Sequence, residues 1–230
     1  MQPYFFPYFE YFRIINNCDL WISFDTAQFS RGSWMNRNRI INREKGWSYI
    51  GLPISRDGLQ TSIKDARIDP KRDWKSDIVN KIRIYERFAP NYLVVSKLIE
   101  RTLDRDLDTL GALNTSTIIE ICRFLGIDTR IVILSEMGIS PPDYGVPGGW
   151  PLHLCMQLGA TEYLNASGGR GLYDPELFRQ SGVNLLFHEH IGLNYDTKPF
   201  DFVPDLSIID VLMWVGAETA RDVVHRGHSD

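Results

Sequence analysis

An α/β fold built on a mostly parallel sheet is what this sequence predicts, and three observations carry it. Short apolar runs suited to strands, Leu20 to Asp25, Arg130 to Leu134, Glu162 to Ala166 and Val183 to His188, are spread along the chain. Between them lie stretches whose apolar residues recur at helical spacing. Glycines at Gly126, Gly159 and Gly182 close those stretches as helix stops do. Alternation of this kind puts crossover helices on the faces of a parallel sheet.

Each element has its own signal. A helical segment is expected around Tyr11 to Asn16, ahead of the strand Leu20 to Asp25. Trp47 to Pro53 reads as a second extended segment, closed by a turn at Asp57-Gly58. From Lys71 to Phe88 the residues Trp74, Ile78, Ile82 and Tyr85 fall on one helical face. Further helices are expected at Asn91 to Leu103 and at Leu110 to Leu125, then the strand Arg130 to Leu134. Pro151 to Leu158 has proline at the first helical position, and Glu162 to Ala166 follows as a strand. Asp174 caps a helix over Pro175 to Ser181, which leads into the strand ending at His188. Ser207 to Val215 is the last helix, and Ser207 with Asp210 has the spacing of a capping box.

This order implies one domain over residues 1–216, with a helical insert at about 71–108 and a helix end and tail at 217–230. With a vestigial first strand beside Met1 to Pro3, the set looks like a Rossmann-like sheet in the order 3-2-1-4-5. Such a sheet places its ligand crevice at the carboxyl ends of strands 1 and 4. The loops there would be Tyr4 to Tyr11 and Asn165 to Tyr173.

Composition narrows the function. The chain has 230 residues, 43% hydrophobic and 23% charged, with a net charge of −4, and lacks the basic stripe of a nucleic-acid coat. No apolar run is long enough to span a membrane, and MQPYFFPY lacks the basic start of a signal peptide. Cys18, Cys122 and Cys155 have no metal-type spacing and read as buried free thiols. The cytoplasm is the expected compartment, and a homo-oligomer is compatible with the sequence. G-x-S-x-G, P-loop and G-x-G-x-x-G motifs are absent, which sets aside hydrolase, kinase and ordinary dehydrogenase readings.

The densest chemistry lies in residues 1–39. Seven aromatics fall between Tyr4 and Phe12 (Tyr4, Phe5, Phe6, Tyr8, Phe9, Tyr11 and Phe12). They cannot all face one pocket, so the phenylalanines are assigned to the core. Tyr4, Tyr8 and Tyr11, which keep a polar tip, are assigned to a wet side. After Asp25 come Gln28, Arg31, Trp34, Asn36, Arg37, Asn38 and Arg39, more hydrogen-bonding groups than packing requires. Asp25 can take a proton or hold a hydroxyl; the plainer alternative is that it caps the following turn. If Asn36 to Arg39 is a strand, the two asparagines share one face and the two arginines the other.

Two further candidates lie downstream. Asn165 and Ser167-Gly168-Gly169-Arg170-Gly171 with Tyr173 stand between a strand and a helix, where converging N–H groups and an arginine can hold phosphate. A flexible turn is the alternative. His188-Glu189-His190 has no third ligand at recognisable spacing, so a general base at His188 is preferred to a metal site.

QPYFFPYFEYF, D-x-x-QF, W-M-NRNRI, GWSYIGLPI, LGATEYLNASGGRGLYD and FVPDLSIIDVLMWVG together resemble the WbqC-like family, encoded in bacterial surface-polysaccharide gene clusters. Members carry a short apolar strand ahead of QPYFFPY and a glycine where this chain has Glu10. The opening segment also falls where nucleotidyltransferases of the class I synthetase-like group carry H-x-G-H. Here Tyr8-Phe9-Glu10-Tyr11 stands instead, so that likeness is architectural.

The family resemblance implies acyl or aminoacyl transfer, glycyl included, to the amino group of a nucleotide-linked amino sugar in O-antigen biosynthesis. Asp25, Tyr8 and His188 are the implied catalytic residues. Gln2, Tyr4, Tyr11, Gln28, Arg31, Trp34, Asn36, Arg37, Asn165, Ser167, Gly168, Gly169, Arg170 and Tyr173 are the implied substrate-binding residues, with no metal. The donor stays open between an adenylate made with ATP, a thioester and an aminoacyl-tRNA. Two alternatives stand beside it: a metal-independent glycosyltransferase-like enzyme, and a non-catalytic nucleotide-sugar-binding protein.

Overall fold

A computed structural model describes residues 1–56, 60–142 and 149–226. The turn expected at Asp57-Gly58 and the end of the tail lie outside the described residues. In chain order the elements are α1 (Phe9–Asn16), β1 (Leu20–Ser23), β2 (Arg37–Asn42), β3 (Gly46–Gly51), α2 (Trp74–Ile82), α3 (Tyr92–Leu103), α4 (Leu110–Leu125), β4 (Arg130–Ile133), α5 (Gly149–Leu158), β5 (Glu162–Ala166), α6 (Pro175–Gln180), β6 (Asn184–His188) and α7 (Ile208–His225). They group into two compact units, one of Met1–Met137 with Gly192–Asp230 and one of Gly138–Ile191.

The fold is mixed α/β. Among the described residues its strands pair as three two-stranded sheets, β1 with β4, β2 with β3, and β5 with β6, and no single continuous sheet joins them. Leu20 to Ser23 lie parallel to Arg130 to Ile133, because the helices between them return the chain to the same end. β2 and β3 are antiparallel, with Arg37 opposite Gly51 and Asn42 opposite Gly46. Only a tight turn joins them, and a parallel pair needs a crossover of a dozen residues or so. Met1 adds one position beside β1: its amine donates to Ile22 O at 2.8 Å and its carbonyl accepts from Phe24 N at 2.8 Å. That bonding pattern is parallel, and burial lowers the α-amine to a pKa of about 5.

Local signals account for the helix ends. Thr109 caps α4 by accepting from Ala112 N, and Gly126 ends it at φ 66°, a left-handed conformation that suits glycine. Asp73 caps α2 and Asp174 caps α6. The last helix runs on past Val215. Gly216, at φ 76° and ψ 177°, breaks its path, and Asn91 fills the break by donating to the carbonyls of Met213 and Trp214. Among the described residues no helix is long and apolar enough to cross a membrane.

The first unit buries Phe5, Phe6, Phe9, Tyr11, Phe12 and Trp21 with the apolar faces of α2, α3, α4 and α7. The second has its own small core of Leu152, Cys155, Phe178 and Val183 under Tyr163 and Tyr173. The cysteines are free thiols, as expected; Cys122 and Cys155 are buried and Cys18 half-buried.

The capping box expected at Ser207 and Asp210 is half present. Ser207 Oγ accepts from Ile209 N, but the Asp210 carboxylate turns into the core and takes Tyr85 and Tyr195 as donors. The phenols outcompete the helix N–H groups because a buried carboxylate needs every donor within reach.

Candidate functional site

The opening loop is held by buried amides. Asn38 points inward from β2, and its Nδ2 donates to Phe5 O at 3.2 Å and Phe6 O at 2.7 Å. Ser207 Oγ donates to Phe6 O as well, at 2.8 Å. Phe6 sits at φ 41°, a strained value for a residue with a Cβ, and these donors hold it there. Asn114 does the same service further along, donating to Pro3 O and Met35 O.

Of the three tyrosines assigned to the wet side, two are half-buried and one is not wet at all. Tyr11 is fully buried and donates to Gln2 O at 2.7 Å, while Tyr4 lies within a weak 3.4 Å contact of Gln2 Oε1. Tyr8 occupies the position before α1 and bridges to Ser207. Burial, with Asp205 nearby, raises its pKa above the ordinary phenol value. At neutral pH Tyr8 is therefore a donor, suited to stabilising an oxyanion and unsuited to acting as a base.

Asp25 follows β1 and is buried, and both of its oxygens are engaged by one residue after β4. Ser135 N donates to Oδ1 at 3.1 Å and Ser135 Oγ to Oδ2 at 2.6 Å. Ser135 is exposed, so the carboxylate reaches the surface through a hydroxyl. These residues meet at the carboxyl ends of a parallel pair, where α/β proteins place ligands.

Asn36 is a positioning residue. It accepts from Gly32 N at 3.0 Å and donates to Leu52 O at 3.1 Å, tying the loop before β2 to the end of β3. Arg37 lies on Tyr49, its guanidinium carbon 3.9 Å from the ring centroid. Arg39, on the same face, lies 5.4 Å from the rings of both Trp34 and Trp47 and donates to Asp205 O at 3.0 Å. Of the expected alternation, the part on β2 is present: Asn38 faces in, and Arg37 and Arg39 face the partly open side, while Asn36 lies in the turn before the strand. Gln28 and Arg31 are exposed, and Gln28 forms an isolated bridge with Ser62.

In the second unit, Ser167, Gly168, Gly169 and Arg170 form a short 3-10 turn, Ser167–Leu172. Arg170 is exposed, pairs with Glu189 and stacks on Phe187 at 4.8 Å. Asn165 donates to Tyr173, whose ring packs on Phe178 at 5.9 Å and so joins the core of this unit. His188 is buried at the end of β6.

Asp104, Asp106 and Asp108 alternate between α3 and α4 but are exposed, and Asp108 pairs with Arg67. Among the described residues no cluster of metal-ligating side chains occurs. Sequence reasoning passed over Trp47, Tyr49, Ser135 and Asp205. The alternation Trp47-x-Tyr49 was the signal for two of them; Ser135 and Asp205 had none.

The model of the WbqC-like protein family matches residues 2–222. The chain is 28% identical over 224 residues to the Mycobacterium tuberculosis protein named Uncharacterized protein Rv1507c, covering 95% of this chain and 93% of that one. No solved structure matches.

Proposed function

This chain belongs to the WbqC-like protein family, and from that premise we propose that it forms an amide on the amino group of a nucleotide-linked amino sugar in surface-polysaccharide biosynthesis. The observation that carries the reading is the Asp25–Ser135 pair, a buried carboxylate that accepts at 2.6 Å from the hydroxyl of an exposed serine. The sugar amine attacks the acyl carbonyl of an activated donor, a C–N bond forms, and the bond to the donor's leaving group breaks. The amine proton passes to Ser135 Oγ as Ser135 passes its own to Asp25. Tyr8, held as a phenol, donates to the developing oxyanion.

The 3-2-1-4-5 sheet order belongs to the same proposal. The parallel pairs β1–β4 and β5–β6, with the parallel hydrogen bonds of Met1 to β1, support it.

The test is thermal shift with a panel of nucleotides, nucleotide sugars and nucleotide amino sugars. It is followed by mass spectrometry of the amino sugars after addition of acyl-CoA, of ATP with a carboxylic acid, or of aminoacyl-tRNA. Stabilisation grows with ligand concentration over Kd, so micromolar binding registers at millimolar ligand. Stabilisation by an amino sugar and an amide mass increment support the proposal. Binding without an amide under any donor makes this a binding protein, and no stabilisation by any nucleotide sugar sinks the reading.

A further inference from the structure

Of the arginines in this chain, only Arg13, Arg37 and Arg39 are less than exposed. Arg13 is buried and compensated by Glu10 at 3.3 Å. Neither Arg37 nor Arg39 has a carboxylate partner among the described residues. Among the described residues the Arg37 side chain has no hydrogen-bond acceptor, and the Arg39 side chain has the carbonyl of Asp205. Withdrawing a guanidinium partly from water without pairing it costs free energy, and folds tolerate such a cost chiefly where a ligand completes the site.

The two side chains are held in place by stacking on rings; among the described residues Arg39 spends one N–H on Asp205 O and the other side-chain donors of the pair are not spent on protein acceptors. Tyr49 lies under Arg37, and Trp34 and Trp47 flank Arg39. Gly51 stands opposite Arg37 on β3, where a Cβ would come within 2.9 Å of Arg37 Cβ. Gly32, at φ 72°, turns the loop back past the guanidinium. Trp34 keeps 42% of its surface exposed, yet its backbone is held: Phe5 N donates to Trp34 O at 2.9 Å and Asn114 to Met35 O at 2.7 Å. An exposed indole on a held backbone beside two guanidiniums with donors to spare is a platform for a ring that carries an anion.

We propose that the Arg37–Arg39 face of the β2–β3 hairpin binds the diphosphate of a nucleoside diphosphate, with a ring of the same ligand stacked on Trp34. Alternate residues of one strand stand about 7 Å apart, so two guanidinium forks can take oxygens on successive phosphates. This assignment rests on the proposed substrate class and gives the phosphate-reading role to these residues, while Arg170 already has Glu189 as a counter-ion.

The experiment is calorimetric titration of UDP, dTDP, GDP and inorganic pyrophosphate into the full chain and into the variants Arg37→Ala, Arg39→Ala, Arg39→Lys and Trp34→Ala. At least one nucleoside diphosphate should bind the wild type. Each arginine-to-alanine change should weaken it tenfold or more, with a steep loss of affinity in added salt. Arg39→Lys keeps the charge without the fork and should recover part of the affinity. It carries the Arg39 arm if Arg39→Ala does not fold. Trp34→Ala should weaken the nucleoside diphosphate and leave pyrophosphate unchanged. Equal loss for both ligands overturns the stacking role. Unchanged affinity in folded arginine variants overturns the site while leaving the amide-forming reading standing. A wild type that binds none of the four probes overturns the site, and amide formation on a nucleotide sugar would then show that the substrate-class reading survives without it.

Discussion

Tyr85 Oη donates to Asp210 Oδ1 at 2.5 Å across 125 positions of sequence. The same hydroxyl accepts from Ile41 N at 3.1 Å, and Tyr195 donates to the other carboxylate oxygen at 2.7 Å. One buried group therefore locks the end of the α2 segment, strand β2 and helix α7 together. These elements carry the arginine face and the serine that clamps the opening loop.

Burial raises the pKa of Asp210 above its ordinary 3.8, with hydrogen bonds from Tyr85 and Tyr195 opposing the shift. A carboxyl group whose folded pKa is raised favours the fold most when protonated. Its contribution is full below about 3.8 and declines as pH rises through the raised value. Asp210→Asn removes this titration. In paired urea titrations, the wild type's stability relative to Asp210→Asn should fall as pH rises through that window; a difference independent of pH would refute the assignment. Asp210→Ala strands the buried phenol of Tyr85 and the half-buried phenol of Tyr195 and should cost about 3 kcal/mol.

Asn38 joins sequence-adjacent chemistry to a distant loop, since one amide satisfies Phe5 O and Phe6 O and holds Phe6 at φ 41°. Asn38→Ala should destabilise the protein by roughly 2 to 4 kcal/mol, because Phe5 O loses its side-chain donor, Phe6 O keeps only Ser207 Oγ, and a cavity is left in the core. Asn38→Asp, which cannot donate when ionised, should be no better. Urea midpoints within error of the wild type for both variants would show that the loop holds itself.

Gly216 and Gly159 have similar positive φ values, 76° and 65°, but different surroundings. A Cβ at Gly216 would stand 2.7 Å from Asn91 Oδ1, whereas at Gly159 it meets nothing within 4 Å. Gly159→Ala should cost only the backbone strain, about 1 to 2 kcal/mol. Gly216→Ala should cost more, because the Asn91 clamp on the Met213 and Trp214 carbonyls is displaced as well. Equal losses in thermal denaturation would mean that Asn91 moves aside freely.

In the proposed transfer, Asp25 and Ser135 separate binding from chemistry. Asp25→Asn should lower kcat about a hundredfold or more while the affinity for a nucleotide amino sugar changes little, since its oxygens face Ser135. Ser135→Ala should lower kcat as well and leave Asp25 without its hydroxyl link. A loss of melting temperature with kcat unchanged would instead make Asp25 the cap of the turn after β4.

Much of the fold was legible because its signals act over a few residues. Thr109 and Gly126 mark the two ends of α4 by satisfying terminal N–H groups and by permitting a left-handed turn. Alternation alone placed Asn38 on one face of β2 and Arg37 and Arg39 on the other. Pro175 after Asp174 likewise announced α6.

Tertiary structure decided what depends on partners far along the chain. Tyr4, Tyr8 and Tyr11 are chemically alike, yet of the three only Tyr11 is sealed in the core, where Gln2 O accepts its hydrogen bond. Asp210 has the spacing of a helix cap and instead serves two phenols, Arg170 has found Glu189, and the opening glutamate of α1 lies buried against Arg13. Periodicity and caps are properties of a segment and can be read from it. Which buried donor meets which acceptor is set by the requirement that every polar group withdrawn from water be satisfied, and only the assembled core fixes that pairing.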